Sequence, residues 1–174
     1  MLDQIIEIIH SKVSTSVEVA TDENASPQAI VISTDHFIQI MEILYNDERL
    51  YFDMLSCITG LDNGLENENM EVIYNLYSVP FERALMIKVK IDRNSPEIPS
   101  VAPIWKTADW QEREVYDLFG VKFTGHPDLR RILMPADWEG YPLRKDYVNA
   151  ATYRGMSIDF DRDDNSFDNP LNSK

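Results

Sequence analysis

The apolar positions of this chain change period several times, and each change marks an element. Leu2, Ile5, Ile6, Ile8 and Ile9 crowd one broad face of a helix over residues 2–12. Residues 13–20 (VSTSVEVA) alternate as a strand does, and Thr21 to Pro27 read as a polar turn. Residues 28–33 (QAIVIS) supply a second strand that pairs with the first as a hairpin. Thr34 stands at the N-cap position of a helix running to about Tyr45, with Phe37, Ile40, Met41 and Leu44 on one face. Residues 50–59 predict a strand, and Leu61 to Asn69 a turn around an Asn-Gly pair. Residues 70–79 and 83–92 alternate on either side of Pro80. In the second, Leu85, Ile87, Val89 and Ile91 point one way and Met86, Lys88 and Lys90 the other, the pattern of an antiparallel strand with one wet face.

Past the strands the pattern becomes local punctuation. Pro96 and Pro99 are expected to end the sheet, and Ser100 to cap a short helix reaching about Thr107. Asp109 is placed to cap a second helix, with Glu112 three residues on completing a capping box and Gly120 at the C-terminal glycine position. Residues 112–147 contain three prolines and cannot form one continuous helix or strand. Their density of Leu, Ile, Met, Trp and Phe argues against disorder. The expectation is an arm that lies on another protein and is mobile from about residue 121 onward without it. The order of elements gives an α+β fold: a small domain with a mostly antiparallel sheet and flanking helices, followed by an extended C-terminal arm. The expected divisions are residues 1–98, the α+β domain; 99–120, a helical segment; 121–150, the partner-binding arm; and 151–174, an acidic, flexible tail.

One run of residues carries a family resemblance. Glu112-Arg113-Glu114, two residues, Asp117, Leu118-Phe119, six residues, His126, three residues, Arg130, one residue and Ile132-Leu133 resembles the signature of the 30-kDa subunit of respiratory complex I. In bacteria this is the C-type subunit of the proton-pumping NADH–quinone oxidoreductase. Pro135 to Tyr147, with Trp138, Arg144, Lys145 and Asp146, looks like its continuation; before about residue 99 the likeness rests on length and element order alone. The resemblance implies a structural subunit without a cofactor of its own, within a complex that uses FMN, iron–sulfur clusters, NADH and quinone. It implies packing on the 49-kDa-type (D-type) subunit and neighbouring iron–sulfur subunits. The implied location is the cytoplasmic side of the cell inner membrane, with membrane contact only through the complex. The corresponding subunit of a related membrane hydrogenase or photosynthetic NDH-type complex, and an adaptor domain without a redox role, are the alternatives.

Charge and single residues narrow the chemistry. Thirty acidic residues against 16 basic ones give a net charge of −14, which disfavours nucleic acid and anionic lipid. The basic exception is residues 121–147, where Lys122, Arg130, Arg131, Arg144 and Lys145 outnumber Asp128, Asp137, Glu139 and Asp146. Cys57 is the single cysteine, so neither an intrachain disulfide nor cysteine-held iron–sulfur clusters are expected. No apolar run approaches the roughly 18–20 residues of a membrane span. His10, His36 and His126 are scattered. The Gly120–Gly125 spacing lacks the Lys and Ser/Thr of a phosphate loop, and no Gly-x-Gly-x-x-Gly is present. Asp159, Asp161 and Asp163 have calcium-loop spacing without its glycine and glutamate, so a solvated acidic tail is the better reading.

Glu112, Arg113, Glu114 and Asp117 then have two readings. They are the solvated face of a helix with one weak Arg113–Asp117 ion pair, or anchor charges that tie the helix to Arg130, Arg131 or Arg144. His126, between Gly125 and Pro127, reads as a turn-fixing residue of a type that titrates near neutral pH. No catalytic or metal-binding residue is expected.

Overall fold

A computed structural model of the chain describes residues 2–13, 17, 19–22 and 24–158. Alternation of apolar side chains builds its central sheet. In β4 (Asn69–Ser78) every second residue is buried, and in β5 (Arg83–Asp92) the buried row is Leu85, Ile87, Val89 and Ile91. These rows sit side by side through the antiparallel pairs Val72↔Val89 and Tyr74↔Ile87. β3 (Met54–Asp62) pairs antiparallel with β4, and β2 (Ala29–Ile32) runs parallel to β5. β1 (Ala20–Asp22) completes the order β1-β2-β5-β4-β3. The fold is α+β, with β2–β5 as the one parallel neighbour in this mostly antiparallel sheet.

Helices cover the apolar face. α1 (Leu2–Lys12) buries Leu2, Ile5, Ile8 and Ile9, and α2 (Phe37–Asn46) buries Phe37, Ile40, Met41 and Leu44. The Phe37 ring lies 5.2 Å from Tyr74 of β4, which fixes α2 on the sheet. Lys12 at the end of α1 reaches Asp47, just past α2, at 3.0 Å. α3 (Ala108–Phe119) packs along β3, at the opposite edge from β1. Beyond the main sheet, β6 (Glu97–Pro99) pairs in parallel with β7 (Lys122–Thr124), and β8 (Thr152–Tyr153) forms a hairpin with β9 (Met156–Ser157).

Several expectations need correction. The first strand lies at Ala20–Asp22 rather than within 13–20, because pairing with β2 and the 2.8 Å Lys88–Asp22 ion pair draw the supposed polar turn into the sheet. Parts of residues 13–20 lie outside the described residues. Thr34 does not cap α2; the N-cap position is His36, with no side-chain cap bond. The strand expected from residue 50 starts at Met54, since the Asp47 carbonyl takes the amides of Leu50 and Tyr51 and Tyr51 turns the chain with φ 40°. Leu61 and Asp62 stay in β3 instead of opening the turn. Pro96 and Pro99 do not end strand pairing: Pro99 closes β6, an edge position that tolerates a missing amide donor. Residues 100–107 form turns rather than a helix. The tail expected from residue 151 begins with the β8–β9 hairpin, and the acidic run from Asp159 lies outside the described residues.

The contact between α3 and β3 is tight at one point. A Cβ on Gly60 would stand 2.6 Å from the Phe119 ring. Gly60→Ala is expected to lower stability by about 1–3 kcal/mol through overpacking. In urea titrations most of that loss should vanish in a Phe119→Ala background, and an unchanged loss there would place the strain elsewhere.

Candidate functional site

α3 carries its core stripe at Ala108, Glu112 and Val115, so a carboxylate occupies an inward helix position. The helix stops at Gly120, which adopts φ 76° and ψ 22°. A side chain there would be strained and would meet the Tyr141 ring at 2.5 Å. A helix end leaves its last four carbonyls without intrahelical donors. Here all four are taken. Gly120 N–H donates to Tyr116 at 2.9 Å, and Arg131 Nη1 to Asp117 at 3.1 Å. Leu143 N–H donates to Leu118 at 3.0 Å, and Arg144 Nε to Phe119 at 2.6 Å. Three of these donors come from the arm. Two are guanidinium groups at the negative end of the helix dipole, and the Tyr141 ring lies within reach of both, 5.3 Å from Arg131 and 4.8 Å from Arg144.

Asp117 holds the arm a second way. Its Oδ2 accepts the consecutive amides of Ile132, Leu133 and Met134 at 3.0, 2.7 and 2.8 Å. Its Oδ1 accepts Arg131 Nη1 at 2.7 Å. Burial pushes this carboxyl up, but the three amides and Arg131 outweigh burial and hold it below the usual carboxylate range.

Glu112 is not part of a capping box. Thr107 occupies the N-cap position of α3 and makes no side-chain cap bond. The Glu112 side chain turns inward instead, where Oε1 accepts Val101 N–H at 2.7 Å and Oε2 accepts Ser100 Oγ–H at 2.6 Å. Burial raises this carboxyl to about 7, against the lowering effect of those two donors, and the nearby Asp109 charge adds to the rise. His126 is also fully enclosed, with Nε2 3.9 Å from Glu112 Oε2.

A further anchor lies at the end of β3. Asp62 takes both Arg93 Nε and Nη2, at 2.9 and 3.0 Å, and accepts the Lys145 amide at 2.8 Å. Arg93 also pairs with Asp146. Arg93 holds the Asp62 carboxyl far below its ordinary value, and Asp62 and Asp146 raise the guanidinium in return. Asp62 and Arg93 were not singled out from the sequence, because they lie 31 residues apart with no local pattern joining them.

The remaining signature residues divide between inside and outside. Arg113 does not pair with Asp117. It donates to the Arg130 carbonyl at 3.2 Å and lies over Trp110. Trp138 donates to Tyr147 Oη at 3.0 Å and its ring lies 5.2 Å from Tyr153. Glu114 and the Lys145 side chain are exposed, and Arg130 reaches only the exposed Asp128. The arm thus makes a set of ties to its own domain. Among the described residues no group of three His, Cys, Asp or Glu side chains is placed to hold a metal, and no helix is long and apolar enough to cross a membrane.

The arrangement is a sheet and a helix whose end is a socket for the irregular segment that follows. Residues 30–153 match the family described as "Respiratory-chain NADH dehydrogenase, 30 Kd subunit", and the chain belongs to that family. It is 41% identical over 154 residues to the C-type subunit of NADH-quinone oxidoreductase from Chloroherpeton thalassium, covering 88% of this chain and 63% of that protein. With the same subunit from Chlorobium phaeobacteroides it shares 39% identity over 155 residues, covering 88% of this chain and 93% of the relative. The chain thus spans less than two thirds of the first relative's length and nearly all of the second's. Among solved structures, "Nqo5 of the trypsin-resistant fragment (1-134)" superposes with TM-score 0.60 at 29% identity, over 74% of this chain and 98% of that one. A chain of the "membrane-bound sulfane sulfur reductase (MBS), an archaeal respiratory membrane complex" superposes with TM-score 0.67 at 25% identity, over 84% and 85%.

Asp117→Asn keeps an acceptor for the amides but removes the charge facing Arg131. It is expected to cost about 2–4 kcal/mol at neutral pH. Because the folded carboxyl is depressed, its contribution is fully present above the unfolded value near ~4 and is lost as pH falls through the folded value. Urea titrations should therefore show a flatter acid limb in the variant, and an unchanged limb would remove Asp117 as the anchor.

Proposed function

We propose that this chain is a structural subunit of the hydrophilic arm of a proton-translocating NADH–quinone oxidoreductase. It carries no cofactor and positions its neighbours. NADH, FMN, the iron–sulfur clusters and quinone belong to other subunits. Its partners are the 49-kDa-type (D-type) subunit and adjoining iron–sulfur subunits, on the cytoplasmic side of the cell inner membrane. Membrane contact comes through the complex. The observation that carries this reading is the family match across residues 30–153, which takes in β2 to β5, α3 and the arm together.

The geometry supports a specific division of labour. Asp117, Arg131, Arg144 and Asp146 are occupied within the chain, so they shape the arm. The arm turns Leu133, Leu143 and Val148 outward, at 60%, 51% and 84% exposure. Apolar side chains held outward on a fixed frame are suited to burial against another subunit. Arg130, exposed beside Asp128, supplies a rim charge.

The likeness to a chain of the sulfane sulfur reductase complex favours one second reading, a related membrane complex with a different electron donor. Affinity purification from detergent-solubilised native membranes distinguishes these, with mass spectrometry of what co-purifies. A 49-kDa-type subunit with NADH-oxidising and iron–sulfur subunits is the expected result. A large subunit with nickel-ligating cysteines would support the hydrogenase relative, and recovery of the chain alone would support the adaptor reading. Leu133→Asp with Leu143→Asp should cut recovery of the complex at least about tenfold, a loss of roughly 1.4 kcal/mol or more, while leaving the isolated chain's melting temperature near that of the parent. Undiminished recovery would remove these residues from the interface.

A further inference from the structure

Glu112 is a buried acid with no permanent cation beside it. Among the described residues, no Lys or Arg side chain lies within salt-bridge distance of its carboxyl, and His126 is the one basic group that does. Both side chains have zero exposure. Buried charges are ordinarily paired, so the carboxyl is stable here either as the neutral acid or opposite a protonated imidazole. The bonds made by His126 decide between these. Its Nδ1 accepts the Asp128 amide at 3.0 Å, so the ring's proton sits on Nε2. That N–H is directed at the Asp109 carbonyl, 3.0 Å away, and stands 3.9 Å from Glu112. A second ring proton would have to sit on Nδ1 and would cost the Asp128 bond. The closed turn therefore favours the proton on Glu112.

We propose that Glu112 and His126 form a buried proton-binding site where α3 meets the arm, and that its occupancy governs closure of the turn at residues 126–128. With the proton on Glu112, the acid bridges Ser100 and Val101 while His126 ties Asp109 to Asp128. When the proton leaves, the Glu112 anion competes with the Asp109 carbonyl for the His126 Nε2–H, and a ring that turns toward Glu112 loses its alignment with the Asp128 amide. The other groups facing the site do not relieve this. Asp109, on α3 itself, adds negative charge, its Oδ1 standing 3.4 Å from His126 Nε2, and Tyr74 of β4 is a fully buried phenol raised by burial and by the Glu112 charge. Ser100, after β6, is uncharged, and Asp128, in the turn, is paired with Arg130 at 2.9 Å. The sign follows from the raised carboxyl. Between the ordinary glutamate value of 4.5 and about 7 the folded chain keeps a proton that the unfolded chain has released, so stability falls as pH rises.

The test is an NMR titration of the full chain from about pH 5 to about pH 9, which spans the range where such a site changes state. The expected result is a Glu112 carboxyl signal with a midpoint near 7, and an Asp128 amide shift with the same midpoint. In Glu112→Gln that inflection of Asp128 should be lost, while the amide signals of β4 stay as in the parent. A Glu112 midpoint near 4.5 in the unmodified chain would overturn the proposal without any variant. So would an Asp128 inflection that survives Glu112→Gln.

Discussion

A helix that ends inside a protein leaves four carbonyl oxygens in need of donors, and the rest of this molecule's C-terminal half is organised by how α3 meets that need. Gly120 turns the chain away in a left-handed conformation and satisfies one carbonyl. Arg131, Leu143 and Arg144 return from the arm to satisfy the other three. The same helix end presents Asp117, whose carboxylate gathers three successive arm amides. Charge, dipole and hydrogen bonding therefore favour one path for a segment that has no helix of its own and whose described strands are short.

The two buried carboxylates of α3 behave in opposite ways because their surroundings differ. Asp117 is met by a guanidinium and three amides, which favour the ionised form despite burial. Glu112 receives one hydroxyl and one amide, and burial prevails. One acid makes a fixed tie and the other a tie that depends on a proton. Asp117 fixes the arm, and Glu112 fixes the segment at Ser100 and Val101 beside it.

Much of this was legible in the sequence where the signal is local. Periodicity located α1, β4 and β5, and Gly120 marked the end of α3. The charged run at 112–117 was readable as a tie to Arg130, Arg131 or Arg144 once the family signature had been seen, and the structure shows Asp117 on Arg131. Glu112 was misread as a capping residue because the same three-residue spacing from Asp109 also serves a side chain that turns into the core. β6 and β7 were missed because three-residue strands have no usable period and their partners lie 25 positions apart. The Asp62–Arg93–Asp146 cluster joins three distant segments, and only the folded sheet brings them together. The arm's ties to its own domain were out of reach of the sequence for a related reason. The acceptors that satisfy its amides, Asp117, the Leu118 carbonyl and Asp62, come from α3 and β3, which composition does not reveal.

The central claim is that the arm is fixed by its own domain before any other subunit binds. Hydrogen exchange on the isolated chain tests it most directly, read at the amides of Ile132, Leu133, Met134 and Leu143. The account predicts protection at all four, removed together by Asp117→Ala for the first three, with the amides of β4 protected throughout. Exchange at unfolded-chain rates in the isolated protein, with protection gained only in the assembled complex, would contradict it.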